Sequence, residues 1–264
     1  MPKFIIALLS VFLASVSFAG EVEIISLLDV QGEGNPALLI GANESQLKQY
    51  LPDGKMPSQI LAYFVKANDQ KILFDTGLSD GHIINELAKN NIKPEDVKII
   101  MLTHLHPDHF GGLIDKQERP VFPNATIYIC EIERDYWVND KKDEKVLTAL
   151  APYSERINFF KFGDEVIKGV KALDASGHTP GHTVFEVGES EKILIVGDIM
   201  HFSEIQLPCP NVSVKYDVDP DKARESRIKI LDYAAENNLT IAGMHITTPG
   251  ICKIIKSGSG YEKN

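Results

Sequence analysis

Short apolar or alternating runs bounded by turn residues predict β-strands over 21–28, 60–66, 71–75 and 97–102. Helical spacing follows the third of these, over 80–90, and ends at Asn90-Asn91 ahead of Pro94. A second helix is predicted over 132–140, with a continuation toward 150. The later half repeats the alternation, with strands over 157–162, 170–175, 183–187, 192–196 and 240–244. Between the last two lies the clearest helix, 220–237. Asp219 suits its N-cap, Pro220 its first turn, and Ala223, Ile228, Leu231, Ala234 and Ala235 supply an apolar face. Strands mixed with helices in two similar halves predict an α+β architecture in which sheets pack between helices. The connection 31–58, rich in Gly, Pro, Asn and Gln, is long for a loop and predicts a flap over a site. There is no repeat and no Pro/Ser-rich linker, so residues 20–264 read as one domain.

The run 97–102 ends in Thr103-His104-Leu105-His106-Pro107-Asp108-His109, three imidazoles and a carboxylate in six residues. Imidazole and carboxylate are the usual ligands of a Zn²⁺-type ion, and a strand end is where several can converge. Three more such groups sit at the ends of strand-like runs: His182 after the turn Gly177-His178-Thr179-Pro180-Gly181, Asp198 after 193–197, and His245 after 241–244. Together these seven groups suffice for two divalent ions sharing one bridging carboxylate.

Composition narrows the partners. The apolar fraction of 44% and charged fraction of 24% are those of a globular protein, and the net charge of −10 comes without any basic run. Nucleic acid and anionic membranes are excluded as expected partners, and a small neutral ligand is favoured. At the N-terminus, Lys3, the apolar run Phe4 to Ala14 and the Ser17-Phe18-Ala19 triplet read as a signal peptide spanning 1–19. Export to the periplasm or medium is therefore expected, with no membrane association after cleavage. The three cysteines, Cys130, Cys209 and Cys252, allow at most one disulfide, and Cys130 reads as a buried apolar residue.

The set His104, His106, Asp108, His109, then His182, Asp198 and His245, resembles that of the metallo-β-lactamase superfamily. Phe74-Asp75-Thr76-Gly77, ahead of the motif, adds to the resemblance. It implies a four-layer αββα sandwich with the site along one edge of the sheets. Carried over, His104, His106 and His182 hold one ion, Asp108, His109 and His245 the other, and Asp198 bridges. Asp75 orients the loop. An aspartate at position 198 separates the chain from the true β-lactamases of the superfamily. The short tail after His245 separates it from glyoxalase II enzymes. The segments Gly197 to His201, Tyr216 to Pro220, Pro249-Gly250-Ile251 and Gly260-Tyr261 are similar to the exported branch that contains methyl parathion hydrolase, with quorum-quenching lactonases as relatives.

That resemblance implies a dinuclear hydrolase in which hydroxide generated at the metals attacks a small ester-like substrate, a lactone or a phosphotriester or aryl ester. Its alternatives are action on β-lactams and a non-catalytic metal-binding protein of the same fold. Zn²⁺ is the default ion, with Mn²⁺, Fe²⁺ or Co²⁺ accepted by the same donors, and relatives in the branch are often homodimers. Asp108 is the candidate for leaving-group protonation. His178 is expected beside the ligands or facing solvent, His201 on the pocket wall or in a structural hydrogen bond, and His82 in solvent. Phe110, Trp137, Phe202 and Leu207 are the apolar candidates for substrate contact, and Tyr216 and Tyr261 the candidate hydroxyl donors.

Overall fold

Strands whose successive residues enter different cores build the molecule. The computed structural model describes residues 22–264 and the backbone of the strand at 15–18; the apolar run Phe4 to Ala14 lies outside the described residues. In chain order the first half gives β1 (Ser15–Phe18), β2 (Val22–Glu33), β3 (Leu39–Ile40), α1 (Glu44–Tyr50), β4 (Pro57–Ala67), β5 (Gln70–Phe74) and α2 (Ile83–Lys89). It continues through β6 (Ile99–Met101), α3 (Pro107–Phe110), β7 (Thr126–Cys130), α4 (Glu131–Arg134), α5 (Glu144–Leu150) and β8 (Ile157–Phe160). The second half gives β9 (Glu165–Ile167), β10 (Val170–Asp174), β11 (Thr183–Val187), β12 (Ile193–Gly197), α6 (Ser203–Gln206), β13 (Ser213–Val214), α7 (Pro220–Glu236), β14 (Thr240–Gly243), β15 (Ile251–Ser257) and β16 (Gly260–Lys263).

Two seven-stranded sheets result, ordered β1-β2-β4-β5-β6-β7-β8 and β16-β15-β14-β12-β11-β10-β9. On β4, Leu61, Tyr63 and Val65 enter the core between the sheets, while Ala62 and Phe64 enter the core beneath α2 and α5. On β12, Ile193 and Ile195 face the first sheet, while Leu194 and Val196 pack under α7. Burial on both faces is why these strands read as continuous apolar runs. The layers are helices, sheet, sheet, helix, the four-layer αββα sandwich expected. Strands β5 to β8 run parallel to one another, as do β12 and β14. Their carboxyl ends therefore share one edge, where loop residues from both sheets meet.

Several expectations change. The helix expected over 132–150 is broken: α4 widens into a π-helical turn over Asp135–Asp140, and α5 starts afresh where the Asp143 side chain accepts from the Lys145 and Val146 amides. The expected flap 31–58 is ordered. Residues 22–33 form one long strand, and β3 pairs with β13. Leu51 and Met56 then pack with Phe202, Ile205 and Val214 in a small core of their own. Helix α7 buries Ser226, Arg227 and Ile230, leaving Ile228 only partly buried, because its inner face also meets the loop after β12. The β15–β16 hairpin was not legible. All three cysteines are free, and Cys130 is buried as expected. Among the described residues no helix is long and apolar enough to cross a membrane.

Phe185 joins the sheets, its ring 5.4 Å from that of Phe74 and 5.5 Å from that of Phe160. Phe185→Ala is expected to lower unfolding free energy by about 3–5 kcal/mol in urea denaturation. Leu147→Ala, at a side chain 42% exposed, should stay within about 0.5 kcal/mol of the parent.

Candidate metal centre

The turn after β6 makes a tight descent. His104 follows directly on the strand, His106 caps α3, and Asp108 and His109 occupy its single turn. Asp198 follows β12 and His245 follows β14, so one sheet edge gathers them all. Five imidazoles surround a single oxygen. Asp198 Oδ2 lies 3.0 Å from Nε2 of His245, 3.1 Å from that of His201, 3.3 Å from those of His109 and His178, and 3.7 Å from that of His104. His106 Nδ1 sits 3.0 Å from His104 Nε2 and 2.9 Å from His178 Nε2.

Four of the rings have a partner behind them. His109 Nδ1–H donates to Asp75 Oδ2 at 2.7 Å, His178 Nδ1–H to Asp217 Oδ1 at 2.9 Å, and His245 Nδ1–H to the Gln59 carbonyl at 2.6 Å. Thr103 Oγ1 donates to Asp75 Oδ2 at 2.8 Å and lies 3.1 Å from His104 Nδ1, whose N–H it can accept. These bonds aim the Nε2 atoms of the rings at the centre. Asp75 holds this post with a left-handed backbone, φ 60°, a strained conformation for a non-glycine residue that its three hydrogen bonds and the Thr76–His109 contacts hold in place.

The structure places His178 inside the cluster and His182 against its edge, with the His182 ring centroid 5.2 Å from that of His104. His178 is buried among His104, His106 and Asp198. His182 lies behind the cluster with both ring nitrogens engaged: Nδ1–H donates to the Ala175 carbonyl at 3.0 Å, and Nε2 accepts from the Asp198 amide at 2.9 Å. The spacing Gly177-His178-Thr179-Pro180-Gly181-His182 puts the two imidazoles on successive sides of one turn, which sequence alone could not orient. His201, with a ring stacked 4.7 Å from His245, belongs to the cluster too.

Three supports were not anticipated. Glu133, 1% exposed, accepts from the Leu105 amide at 2.9 Å, Trp137 Nε1 at 2.7 Å, Thr179 Oγ1 at 2.7 Å and the Gly181 amide at 2.8 Å. It thereby ties the 104–109 loop to the 178–182 turn. Gly181 must be glycine, because a Cβ there would lie 2.3 Å from the Glu133 amide. Asp217 is held in turn by the Val214 amide and faces Arg227, which is fully buried and donates to the carbonyls of Ile199, Pro210 and Val212. Asp29, at a bulge in β2, accepts from the Leu78 and His82 amides and fixes the turn after Asp75. No local pattern marked them: Glu133 stands beside Arg134 and Asp217 two residues from Lys215, like ordinary charged positions.

Electrostatics fits a cation site. Burial, then the neighbouring imidazoles, holds His104 well below its usual range and His106 at about 3, so both present lone pairs at neutral pH. Burial also depresses His201, to about 4, and His182, to about 3. Burial acts the same way on His178, His109 and His245, yet the surrounding carboxylates outweigh it, raising His178 to about 9 and the other two above their usual range. Asp198, resisted by burial, is driven well below the carboxylate range by His109, His245 and His201, and Asp108 likewise by His109 and His245. Asp198 thus gathers positive charge around itself, a demand that divalent cations satisfy. Buried Asp198 Oδ1, His109 Nε2 and His201 Nδ1 have no hydrogen-bond partner. Three overlapping donor groups among the described residues, His104–His106–His178, Asp108–His109–Asp198–His245 and His178–Asp198–His201, fit metal ions.

A cavity of about 600 Å³ opens onto this cluster. Its lining combines the polar Glu33, Asn35, Ser58, His106, Asp108, Asp198, His201 and His245 with the apolar Leu38, Ile60, Leu78 and Phe202 and with Tyr216. Of the apolar residues expected to touch substrate, Phe202 does line the cavity. Trp137 instead sets its ring edge-on to His106 at 5.5 Å. Phe110 and Leu207 do not line it; Phe110 is buried beneath the first sheet and Leu207 beneath α7. Tyr261 is also elsewhere, donating to Asp232 at 2.6 Å.

Residues 56–245 match the family model for the metallo-beta-lactamase superfamily. The chain belongs to that superfamily. A solved hydrolase of the beta lactamase superfamily, AbOPH, is 33% identical with a TM-score of 0.85, covering 94% of this chain and 95% of its own. AidC, a dizinc quorum-quenching lactonase solved with the product N-hexanoyl-L-homoserine, is 28% identical with a TM-score of 0.86, covering 96% of both chains. An N-acyl homoserine lactonase of Bacillus cereus is 26% identical over 182 residues, 58% of this chain and 68% of its own length. The protein is a metal-dependent hydrolase of this superfamily.

Glu133→Ala would leave four donors unpaired, three of them on the two metal loops. The variant is expected to lose about 3 kcal/mol or more of stability in denaturant melts, and the loss should be present in chelator-treated protein.

Proposed function

We propose that the protein opens neutral lactones, with acyl-homoserine lactones as the leading class. The observation that carries this reading is the cavity. It joins His and Asp side chains to apolar ones, and among the described residues no Lys or Arg lines it. Beyond the metal centre itself the lining offers an anionic group no Lys or Arg counter-charge, whereas an uncharged ester with a hydrocarbon arm suits its mix of polar and apolar groups. The likeness to AidC and to the Bacillus lactonases supports the same class.

His104, His106 and His178 would hold one divalent ion and Asp108, His109 and His245 a second, with Asp198 between them. Zn²⁺ is the proposed ion, and Mn²⁺, Fe²⁺ or Co²⁺ suit the same donors. When bound, such ions lower the pKa of water toward 7 and polarise a carbonyl or phosphoryl oxygen. The chain's own groups position the substrate. Its ester end meets His106, Asp108 and His245, and its arm lies along Ile60, Leu78 and Phe202. Asp108 is ionised and one-quarter exposed to the cavity, so its carboxylate can take a proton from water and return it to the leaving alkoxide. Tyr216, 48% exposed in the same lining, offers a hydroxyl to a substrate oxygen. Neutral phosphotriesters and aryl esters meet the same requirement of an uncharged ester and form the second substrate class.

Export completes the reading. Cleavage near Gly20 would remove β1, an edge strand paired only with β2, and leave the rest of the sheet intact. N-terminal sequencing of protein recovered outside the cytoplasm should begin close to Gly20, and a chain starting at Met1 would contradict it.

Purified residues 20–264 loaded with Zn²⁺ are expected to release protons from hexanoyl-homoserine lactone, and a chelator should abolish the release. No turnover by metal-replete protein sets lactones aside in favour of phosphotriesters. His178→Ala should reduce bound metal by about one ion per chain and lower kcat/KM more than about 100-fold, as loss of several kcal/mol of charge stabilisation requires. His182→Ala should keep both ions while losing about 2–4 kcal/mol of stability; the reverse pattern would restore His182 as the ligand.

A further inference from the structure

A second cavity, of about 640 Å³, is lined by α6, the β15–β16 hairpin and Tyr50 at the end of α1. No residue lines both it and the metal-site cavity. Its walls are held in place by the chain itself. The Tyr261 amide donates to the Leu207 carbonyl at 2.9 Å, and a Cβ at Gly260 would lie 2.3 Å from the Pro208 carbonyl oxygen. Within this cavity Glu204 is half satisfied. Its Oε1 accepts from Ser203 Oγ at 3.2 Å and Thr247 Oγ1 at 3.3 Å, while its Oε2 is buried with no hydrogen-bond partner. A buried carboxylate oxygen without a donor costs free energy. Among the described residues Lys263 is the one cation in the lining, and its Nζ donates to Thr247 Oγ1 at 3.1 Å rather than to Glu204. Glu262 adds a second carboxylate, so the lining carries one more negative group than positive.

We propose that this cavity binds a small primary alkylammonium, its NH₃⁺ group on Glu204 Oε2 and its carbon chain along Pro208 and Tyr50. The site is independent of the ester-opening reading. An ammonium brings three donors and no acceptor, which suits Glu204 together with the hydroxyls of Ser203, Ser257 and Ser259 in the same lining. Charge-assisted bonds of this kind are roughly twice as strong as neutral ones, which favours an amine over an alcohol. A carboxylate ligand would meet Glu204 and Glu262 with like charge. A metal ion fits less well, because Glu204 belongs to none of the close donor groups among the described residues.

Butylamine, charged at neutral pH as a lysine side chain is, is the probe, titrated calorimetrically into the Zn²⁺-loaded protein. Saturable binding at one site per chain is expected, with butanol and butyrate about tenfold weaker or absent. Glu204→Gln keeps the shape and removes the charge, and should weaken butylamine about tenfold or more. Ser259→Trp, at an exposed position of the hairpin turn, fills the cavity and should do the same. Glu155→Gln, at an exposed acid outside the cavity, should stay within about twofold of the parent. If one cavity variant fails to fold, the other decides. Binding that survives the cavity variants places the amine elsewhere, on the metals for instance, and overturns the site. Equal binding of butanol, an equal loss in Glu155→Gln, or no butylamine binding at all overturns it as well.

Discussion

The crowding of imidazoles around Asp198 is costly without positive charge at its centre, and much of the surrounding structure serves to maintain it. Left alone, buried histidines turn toward whatever hydrogen bonds they can find. Here Asp75, Asp217 and the Gln59 carbonyl engage the far side of three rings, and Thr103 lies against a fourth. The near-side nitrogens are left with one another and with the carboxylates of Asp198 and Asp108. Such a set has a strong electrostatic preference for a cation, and it is built into a fold whose parallel strands all end at the same edge.

The supports form a chain that reaches far from the site. Arg227 on α7 fixes the carbonyls of the loop after β12 and faces Asp217, which turns His178 toward Asp198. Glu133 joins the two loops that come from opposite sheets. Tyr63, at the centre of β4, donates to the carbonyls of Gly243 and Gly250 on either side of His245. Relative placement of the two halves is thereby set by buried hydrogen bonds at the site as well as by the apolar layer between the sheets.

Much of this was legible in the sequence, and the remainder was hidden for identifiable reasons. Strands buried on both faces announce themselves as apolar runs, so the sandwich and the loops bearing His104, Asp198 and His245 could be read directly. Asp75 followed from the motif it belongs to. His178 and His182 could not be told apart, because only three residues of turn separate them and the backbone path decides which ring looks inward. Glu133 and Arg227 looked like ordinary charges on helices. Their importance lies in partners 10 to 48 residues away, which no local pattern contains. The break in the 132–150 helix escaped notice because a π-helical turn keeps helical composition. Phe110 and Leu207 were apolar residues near the right loops whose side chains point into cores.

The most direct test of the metal-centre account is anomalous X-ray diffraction from crystals grown with Zn²⁺. Two peaks are expected, one contacted by His104, His106 and His178, the other by Asp108, His109 and His245, with Asp198 reaching both. A single peak, or one that draws His182 away from the Asp198 amide, would contradict it.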